Sequence, residues 1–406
     1  MNVLWVSHFV PWPPRGGNLQ RSWHLLRELS REARVDLIAF HRRRSEADRD
    51  LDGAKREMEK LCGRVSIFPI PNERSRAAFA AGLLRNLLEK SPYTVQELYS
   101  DDFRDRLERY LGDGGYDAVH FDTVDLAGHR PLAAGLPAIL NHHNVESLLF
   151  RRRAPRERNP LAGAYLRLQA SKLGLYEKRW YGAFDRNLFV SAADRSRAES
   201  DAPGLRADVV PNGTDTAYYT PGGEGEAKRV VWVGGLSWFP NRDAVAWLLG
   251  RLWPRIRQRH PDATLDLIGS APERFLPRGG ADRSVRVHGF VEDLRPLVTG
   301  AWLSVAPLRV GGGTRLKILD ALAMGKTVLA TSVGREGIEA REGEEIVTAD
   351  GEDAFVEEAD RLLRDRDLRE RIGKNGRALA ERVYDWSVVG AGYRRIVRDL
   401  TRGKEE

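Results

Sequence analysis

The residues best suited to binding chemistry lie between Gly311 and Asp320, where three consecutive glycines precede a helical pattern. An apolar run, 301–308, comes directly before them and is typical of a buried parallel strand. Such a turn presents unpaired backbone N–H groups and the positive end of a helix dipole, which favour an anion, most often a phosphate. The stretch therefore predicts a phosphate-binding turn between a strand and a helix.

Two charged residues of the predicted helix extend this chemistry toward a nucleotide. Lys317 and Asp320 are three residues apart, so they lie on one helix face near the glycines. Lys317, or Arg315 nearer the turn, suits a diphosphate, and Asp320 suits ribose hydroxyls. The alternative is a glycine-rich loop before an ordinary amphipathic helix, with Lys317 and Asp320 as a solvated pair.

Around this motif the chain alternates strand and helix patterns in two successive sets. The first set begins at residues 2–9, and the second begins at 229–233, after the glycine-rich linker 220–226. The alternation predicts two doubly wound α/β domains that bind ligands at the carboxyl ends of their strands. A long helix over 161–184 carries an apolar stripe that starts at Leu161, and this stripe is expected to be core.

Composition limits the classes of protein that fit. A length of 406 residues with 42% apolar residues suits two domains. Cys62 is the single cysteine, which excludes an intramolecular disulfide and fits a reducing cytoplasm. No apolar run approaches the roughly 18 residues of a membrane-spanning helix, and residues 1–10 lack the features of a signal peptide. The net charge is +7. Most of the arginines alternate with Asp and Glu along predicted helices, as on an ordinary solvated face, so nucleic-acid binding is not predicted.

Six short motifs, in this order, resemble the retaining GT-B glycosyltransferases of family 4 over nearly the whole chain. They are 13–17, His143-Asn144-Val145-Glu146, 211–215, 234–241, 311–325 and the helix start Asp385-Trp386. The resemblance implies an α/β fold of two Rossmann-like domains facing across a cleft, with a C-terminal helix crossing back to the first. The expected ranges are 1–212 for an acceptor-binding domain, 213–385 for a donor-binding domain and 386–406 for the returning helix.

The resemblance also implies the reaction. A hexose-type sugar would pass from a nucleotide-diphosphate sugar, UDP- or GDP-linked, to an acceptor hydroxyl with retained anomeric configuration. No metal ion and no other cofactor are expected. The expected setting is saccharide, polysaccharide or glycoconjugate biosynthesis.

For the donor, the resemblance assigns ribose binding to Asp320, at the second of two carboxylate positions of the family. The first of those positions falls on Gly312, so the usual side-chain contact to the donor sugar is missing. The backbone N–H groups of Gly311, Gly312, Gly313 and Thr314 are expected to replace it.

A second departure concerns the cations of the family. Where many members carry an arginine and a lysine after the first strand of the second domain, this chain has Gly235, Ser237 and Asn241. Arg315 and Lys317 then become the expected diphosphate cations, with a catalytic role.

In the first domain, His143 matches a family histidine that faces the reacting sugar. Gly16 and Gly17 match a loop that lets the acceptor and the donor phosphate approach, and Asn144 and Glu146 fall on the acceptor side. Each assignment has a simpler alternative. His143 would be a structural hydrogen bonder, Gly16 and Gly17 an ordinary turn, and Glu146 a charge at a helix N-terminus.

Three other functions compete with this hypothesis. A GT-B-fold nucleotide-sugar epimerase would need an acid/base pair of carboxylates or histidines. A metal-dependent glycosyltransferase of the other fold would need an Asp-x-Asp between strands. The matches here, Asp48/Asp50, Asp50/Asp52 and Asp365/Asp367, lie in or beside charged helical stretches, which argues against it. A non-enzymatic nucleic-acid binder would lose affinity steeply with salt.

The acceptor half holds most of the basic surplus, +6 over residues 1–210. The surplus is densest in 150–158, where five arginines follow the apolar Leu148 and Leu149. Basic residues are attracted to anionic lipid, so the segment predicts a peripheral enzyme on the cytoplasmic face that extends a lipid-linked saccharide. The alternative is a solvated loop and a soluble acceptor.

Overall fold

The computed structural model describes residues 1–42, 50–71, 76–223, 225, 228–270 and 282–402. Residues 1–211 with 389–406 form one compact unit, unit 1, and residues 212–388 form another, unit 2. Each unit has its own parallel sheet and its own apolar core. The predicted fold class, α/β with two doubly wound Rossmann-like domains, is confirmed.

Unit 1 contains a seven-stranded parallel sheet in the order β3-β2-β1-β4-β5-β6-β7. The order reverses between β1 and β4, which lie side by side. In a doubly wound sheet this reversal is where ligands bind, beyond the carboxyl ends of the strands. The strands are β1 Asn2–Ser7, β2 Arg34–His41, β3 Val65–Pro69, β4 Ala118–Phe121, β5 Ala138–Asn141, β6 Arg186–Phe189 and β7 Ala207–Val209.

Among the residues that the structure describes, eight α-helices lie entirely within unit 1. Their sequences bury apolar residues at helical spacing, as Leu25, Leu26 and Leu29 of α1 illustrate. They are α1 Gly17–Leu29, α2 Leu51–Glu59, α3 Arg76–Asn86, α4 Tyr93–Glu97, α5 Asp101–Gly112, α6 Glu146–Arg153, α7 Pro160–Tyr181 and α8 Ala192–Asp201.

Unit 2 contains a six-stranded parallel sheet in the order β10-β9-β8-β11-β12-β13. Here the order reverses between β8 and β11, which pair through Val230–Leu303 and Val231–Ser304. The strands are β8 Arg229–Val233, β9 Thr264–Ile268, β10 Val285–Gly289, β11 Leu303–Ala306, β12 Thr327–Ala330 and β13 Val347–Thr348.

The remaining helices begin in unit 2. A large core, which includes Trp232, Trp253 and Phe355, fills the space between them and the sheet. They are α9 Phe239–Trp247, α10 Trp253–Arg259, α11 Arg295–Thr299, α12 Leu316–Ala323, α13 Ser332–Arg335, α14 Glu352–Arg364, α15 Arg366–Leu379 and α16 Trp386–Arg402.

The last helix, α16, begins in unit 2 and continues into unit 1. Within unit 1, Tyr393 is fully buried, and its hydroxyl group is 2.9 Å from Nδ1 of His120. Arg394 binds the carboxylates of Glu28 and Glu32 on α1 and the turn after it. The final part of the chain is therefore built into the core of the first unit.

The unit boundaries differ slightly from the predicted domain limits. The predicted limits follow residues 212 and 385, whereas the units meet at 211/212 and 388/389. The start of α16 stays with unit 2 because the backbones of Thr214 and Trp386 are hydrogen-bonded at 3.1 Å. None of the helices in the described ranges combines the length and apolarity needed to span a bilayer.

Several helices differ from the sequence prediction. The sequence pattern over 95–110 predicts one helix, but the structure has two, α4 and α5, because the side chain of Ser100 caps the N–H group of Phe103. The arginines that the alternative interpretation placed in a solvated loop are partly helical, since α6 includes Arg151, Arg152 and Arg153. The prediction that Leu161 belongs to the core is wrong, because its side chain is 81% exposed at the start of α7.

Candidate functional site

In unit 2, the glycine turn after β11 is held by the arginine that follows it. The Arg315 guanidinium donates to the carbonyl groups of Gly312 and Gly313, the latter at 2.6 Å. Arg315 is only 5% exposed. It therefore braces the loop from inside, and its predicted role as a diphosphate cation stays a prediction.

The same turn offers hydrogen-bond donors. In the part of unit 2 that the structure describes, the N–H groups of Gly312 and Gly313 have no intramolecular acceptor. Gly313 has φ +66°, a left-handed conformation that a residue with a Cβ adopts only at a cost. Two buried donors just before a helix suit an anion, and the phosphate-binding role of the three glycines stays a prediction.

Lys317 reaches from α12 to the turn after β8. Its Nζ donates to Oδ1 of Asn241 at 2.9 Å and lies 4.5 Å from the ring centroid of Trp232. Gly234 is what admits it, because a Cβ at that position would lie 2.9 Å from the Lys317 ammonium. The structure thus joins Lys317 to the loop on which Gly235, Ser237 and Asn241 stand.

Within that loop the three predicted residues differ in exposure. Asn241 is buried, and its Nδ2 donates to the carbonyl oxygen of Gly235 at 2.9 Å. Asn241 therefore links the turn to Lys317. Ser237 is exposed, and its carbonyl oxygen accepts a hydrogen bond from Arg242 at 2.7 Å. Its hydroxyl group carries no contact that defines a role.

Asp320 faces the start of unit 2. Its Oδ1 accepts a hydrogen bond from Oγ1 of Thr214 at 2.8 Å. Burial, together with the negative charge of Asp215, raises the pKa of Asp320 to about 7. For Lys317, burial and the positive charge of Arg315 lower the pKa to about 7. A cation and a carboxylate on one short helix thus both titrate near neutral pH.

In unit 1, the predicted residues lie at the carboxyl edge of the sheet, next to the reversal of strand order. Gly16 has φ +89° and precedes α1, of which Gly17 is the first residue. His143 follows β5, and its Nε2 donates to the backbone oxygen of Asp122 at 2.8 Å. Nε2 therefore carries the proton. Nδ1 of His143 is buried and has no hydrogen-bond partner among the described residues.

Asp122, just after β4, connects several side chains at this edge of the sheet through hydrogen bonds. The sequence analysis did not predict it as a site residue. Its carboxylate accepts hydrogen bonds from Ser7, Ser22 and Asn141 at 3.1, 2.5 and 2.8 Å. Burial by itself would raise its pKa, but the neighbouring histidines, His143 foremost, hold the pKa of Asp122 well below the ordinary value. Asp122 is thus ionised at neutral pH.

Three side chains at this edge, His8, Asp122 and His143, have atoms close enough to ligate a metal ion. The carboxylate oxygens of Asp122 already accept three hydrogen bonds, and Nε2 of His143 donates to a carbonyl group. A cation at this position would have to displace those bonds. The atoms fit a hydrogen-bond network better than a ligand set, and metal independence stays a prediction.

Asn144 and Glu146, the residues predicted to lie on the acceptor side, follow His143 in the chain. Nδ2 of Asn144 donates to Oε1 of Glu146 at 3.1 Å. Burial and the nearby carboxylate of Asp125 raise the pKa of Glu146 to about 7. Glu177 on α7 also has a pKa of about 7, mainly through burial, and it binds the N–H and hydroxyl groups of Ser147.

The sequence analysis did not identify the residues that contact the predicted site residues. Asp122 and His8 each follow a strand, and that position is the signal that could have pointed to them. Thr214 and Trp232, which contact Asp320 and Lys317, stand about 100 residues from α12. No local pattern connects residues so far apart in the chain.

A strand, a glycine turn and a helix at the reversal of a doubly wound sheet are typical of nucleotide-binding enzymes. Residues 227–365, which include both glycine turns and α12, match the family model described as Glycosyl transferases group 1. This segment is a glycosyltransferase-family domain. The predicted enzyme class, a glycosyltransferase, is confirmed.

Two curated proteins align with most of the chain. A GDP-mannose-dependent alpha-(1-6)-phosphatidylinositol monomannoside mannosyltransferase of Mycolicibacterium smegmatis is 25% identical over 372 residues, 81% of this chain and 94% of that protein. An uncharacterized 44.6 kDa protein in the cps region of Klebsiella pneumoniae is 22% identical over 397 residues, 94% of this chain and 96% of that protein.

Solved structures share the fold at lower identity. Sucrose-phosphate synthase of Thermosynechococcus elongatus has a TM-score of 0.73 at 16% identity, covering 99% of this chain and 100% of its own. HepE of Anabaena, in complex with UDP, has a TM-score of 0.68 at 15% identity, covering 98% of this chain and 100% of its own. These likenesses confirm the fold over nearly the whole chain.

Proposed function

We propose that this protein is a retaining, metal-independent glycosyltransferase. It moves a hexose from a nucleotide-diphosphate sugar to a hydroxyl group of a saccharide or lipid-linked saccharide. The observation that carries the proposal lies within unit 2. There Lys317 of α12 contacts the glycine turn after β8, the glycine turn after β11 leads into α12, and Asp320 of the same helix binds Thr214, beside the reversal of strand order.

The chemistry of that constellation fits a departing diphosphate. As the bond to the sugar breaks, negative charge grows on the phosphate oxygens. The amides of Gly312 and Gly313, the positive end of α12 and the ammonium of Lys317 all favour that charge. The departing phosphate can accept the proton of the acceptor hydroxyl on the same face, so no protein nucleophile is assigned. Asp320 is assigned to the ribose hydroxyls.

In unit 1, His143 is assigned to a hydroxyl group of a sugar substrate. Its Nε2–H is held by the backbone oxygen of Asp122, so Nδ1 is the ring nitrogen that remains for a hydrogen bond to that hydroxyl group. Glu146, with Asn144 beside it, is assigned to the acceptor. A carboxylate whose pKa is about 7 can accept or donate a hydrogen bond near neutral pH.

Similar proteins guide the choice of substrates. HepE has been solved with UDP and with UDP-glucose, and the mycobacterial protein is GDP-mannose-dependent. The donor is therefore assigned to the UDP- or GDP-linked hexoses. The phosphatidylinositol mannoside named for the mycobacterial protein supports a lipid-linked acceptor. We assign the protein to the cytoplasmic face of the membrane as a peripheral enzyme of polysaccharide or glycoconjugate synthesis.

The test begins with a thermal-shift screen of UDP-, GDP-, ADP- and dTDP-sugars. A ligand at about 100 times its Kd adds roughly 2.7 kcal/mol of stability, so the true donor stands out. Asp320→Ala is expected to weaken binding of that donor by about 1.5–3 kcal/mol, because a charged hydrogen-bond acceptor is lost. Asp367→Ala, an exposed aspartate of α15, is the matched control. Equal affinity in a folded Asp320→Ala protein would remove the ribose assignment.

Turnover measurements distinguish a glycosyltransferase from a nucleotide-sugar epimerase. A glycosyltransferase releases nucleotide diphosphate in proportion to added acceptor, and the product keeps the anomeric configuration of the donor by NMR. A nucleotide-sugar epimerase would interconvert donors without an acceptor. Activity that requires Mg²⁺ or Mn²⁺ and is abolished by a chelator would contradict metal independence.

A further inference from the structure

Residues 79–88 of unit 1, which cover the end of α3 and the turn after it, have a buried inner side and an exposed, apolar outer side. Its inner side packs inward, since the ring of Phe79 lies 5.8 Å from that of Tyr93 and Asn86 is fully buried. Its outer side carries Leu84, Leu87 and Leu88, which are 68%, 48% and 93% exposed. A surface helix usually turns polar residues outward, so this outer side calls for a partner.

Helix α7 carries a second row of exposed leucines. Leu161 and Leu175 are 81% and 73% exposed, and Leu168 between them is partly exposed. Leucines seven residues apart recur within about 20° of one another around a helix. Leu161 and Leu175 therefore share one face, about 21 Å apart along the axis.

A buried polar network joins these two rows. Nε2 of Gln169 on α7 donates to Oδ1 of Asn86 at 2.6 Å, and Nζ of Lys172 donates to the backbone oxygen of Asn86 at 2.5 Å. Oε1 of Gln169 also accepts from the N–H of Tyr93 on α4. The end of α3 is thus fixed against the middle of α7. We call Leu84, Leu87, Leu88, Leu161 and Leu175 together the leucine surface.

The charge around the leucine surface is strongly positive. Residues 146–181, which form α6 and α7, contain nine Lys and Arg but only three Glu. One of the three, Glu177, is buried against Ser147. Helices α6 and α7 pack against each other, so this excess of six positive charges borders the exposed leucines of α7.

We propose that the leucine surface docks into the headgroup region of an anionic bilayer. The inference deepens the proposed function and rests on it, because it names the surface that brings a transferase to lipid-linked acceptors. Leucines would enter the interface while neighbouring arginines and lysines meet anionic headgroups, the two contributions that hold an interfacial helix.

A second copy of the chain is the other candidate for covering the leucines. A two-fold dimer places the same patch of each copy face to face. Two surfaces with six excess positive charges each would then be apposed, and like charges oppose that contact. An anionic bilayer complements the same positive charge. The charge therefore favours a membrane over a second copy of the chain as the partner of the leucine surface.

The test is flotation with phosphatidylcholine vesicles, with and without phosphatidylglycerol, at low and high salt. Wild type is expected to bind the anionic vesicles and not the neutral ones. The triple variant Leu84→Ser/Leu87→Ser/Leu88→Ser is expected to lose about tenfold or more in partitioning, because three apolar side chains no longer enter the interface. The matched control is Val287→Ser/Phe290→Ser/Val388→Ser, three exposed apolar side chains that belong to unit 2.

A labelling experiment covers the case in which the triple variant fails to fold. The single natural cysteine, Cys62, is 5% exposed, so Leu88→Cys can be labelled selectively with an environment-sensitive dye. Its emission is expected to shift to the blue on adding anionic vesicles. The same dye on Phe290→Cys is expected to stay unchanged.

Three results would overturn the proposal. They are wild type that fails to bind anionic vesicles at low salt, a folded triple variant that binds as tightly as wild type, and a wild-type dimer that the triple variant converts to monomer. The donor thermal shift is measured on the same samples. A retained shift without vesicle binding contradicts the docking surface alone, whereas a missing shift contradicts the proposed function.

Discussion

At the residue scale, the two charged side chains of α12 give donor binding a characteristic pH dependence. Lys317 has a pKa lowered to about 7, so it loses its charge as the pH rises through 7. Asp320 has a pKa raised to about 7, so it loses its charge as the pH falls through 7. Under the proposed function donor binding needs both charges, because Lys317 is assigned to the diphosphate and Asp320 to the ribose.

We therefore expect a bell-shaped donor affinity with its maximum near pH 7, falling by up to about tenfold per pH unit on either side. Asp320→Asn should remove the acidic limb, because its amide does not titrate. Titration calorimetry with the donor from the thermal-shift screen measures both profiles. A wild-type affinity that is flat from pH 6 to about pH 8 would contradict the assignment of these two groups.

Asp122 sets the stability of the edge that holds His143. Asp122→Ala would leave Nδ2 of Asn141 without its acceptor, and the hydroxyl groups of Ser7 and Ser22 would keep only the backbone oxygens of Phe9 and Asn18. We expect a loss of about 3–5 kcal/mol in the free energy of unfolding, measured by urea denaturation.

The control for this substitution is Asp117→Ala, just before β4. Its carboxylate is 50% exposed and accepts one hydrogen bond, from Asn2 N–H. Exposed groups of this kind contribute about 1 kcal/mol or less. A similar loss in both variants would show that the hydrogen bonds of Asp122 matter less than its buried position suggests.

At the element scale, the turn between β11 and α12 depends on a left-handed backbone. Gly313 has φ +66°, and Gly343, far from α12 in sequence, has φ +69° with open space around it. Alanine at either position should cost about 1–2 kcal/mol of stability, because the Cβ is unfavourable there. Only Gly313→Ala should also weaken donor binding, since the proposed function assigns the amides of that turn, and not those around Gly343, to the diphosphate.

Titration calorimetry and thermal melts on the two variants separate these effects. Comparable melting temperatures with a donor affinity lowered only in Gly313→Ala are expected. Unchanged affinity in Gly313→Ala, at a melting temperature equal to that of Gly343→Ala, would show that the turn does not touch the donor.

The sequence predicted most strands because each is a short apolar run bounded by turn residues. The predicted strand 229–233, for instance, is observed as Arg229–Val233. Helices with few apolar residues were missed, as with α8, Ala192–Asp201, whose residues are mostly polar. In α6 the apolar residues give no helical period, and packing against α7 is what orders it. Tertiary contacts decide such segments.

The candidate site, like the fold, could be predicted from the sequence only in part. Spacing along one helix identified Lys317 and Asp320, because residues three apart share a face. What these residues touch could not be read from the sequence. Trp232, beneath Lys317, and Thr214, beside Asp320, come together only when the sheet of unit 2 forms.

At the scale of the whole molecule, buried neutral histidines make unit 1 sensitive to acid. Burial lowers the pKa of His8 to about 3 and the pKa of His129 and His142 to about 4. Unfolded histidine titrates near 6.5, so between these values the unfolded chain binds protons that the folded unit does not. Stability from these residues is therefore present above about pH 6.5 and lost as the pH falls.

We expect the three histidines together to destabilise unit 1 by about 4 kcal/mol between pH 7 and about pH 5.5. Glu146 and Glu177 act in the opposite direction, because their pKa values of about 7 mean that the folded unit binds these protons before the unfolded chain does, and they offset about 3 kcal/mol. Hydrogen exchange read by mass spectrometry reports each unit separately. Between pH 7 and about pH 5.5, His142→Gln should therefore lose less protection in the sheet of unit 1 than wild type does, and the same change in both proteins would contradict this account.

The path of the last helix has a consequence for how the protein is made. The sheet of unit 1 is complete once Val209 has been synthesised, but Tyr393, which closes over His120, follows almost 200 residues later. At about 5–20 residues per second, a ribosome needs roughly 10–40 s to deliver it. During that interval the nascent first domain has an unclosed core, and a chain that stops early in unit 2 leaves it so permanently. A nonsense codon in the second half of the gene would thus damage the first half of the protein.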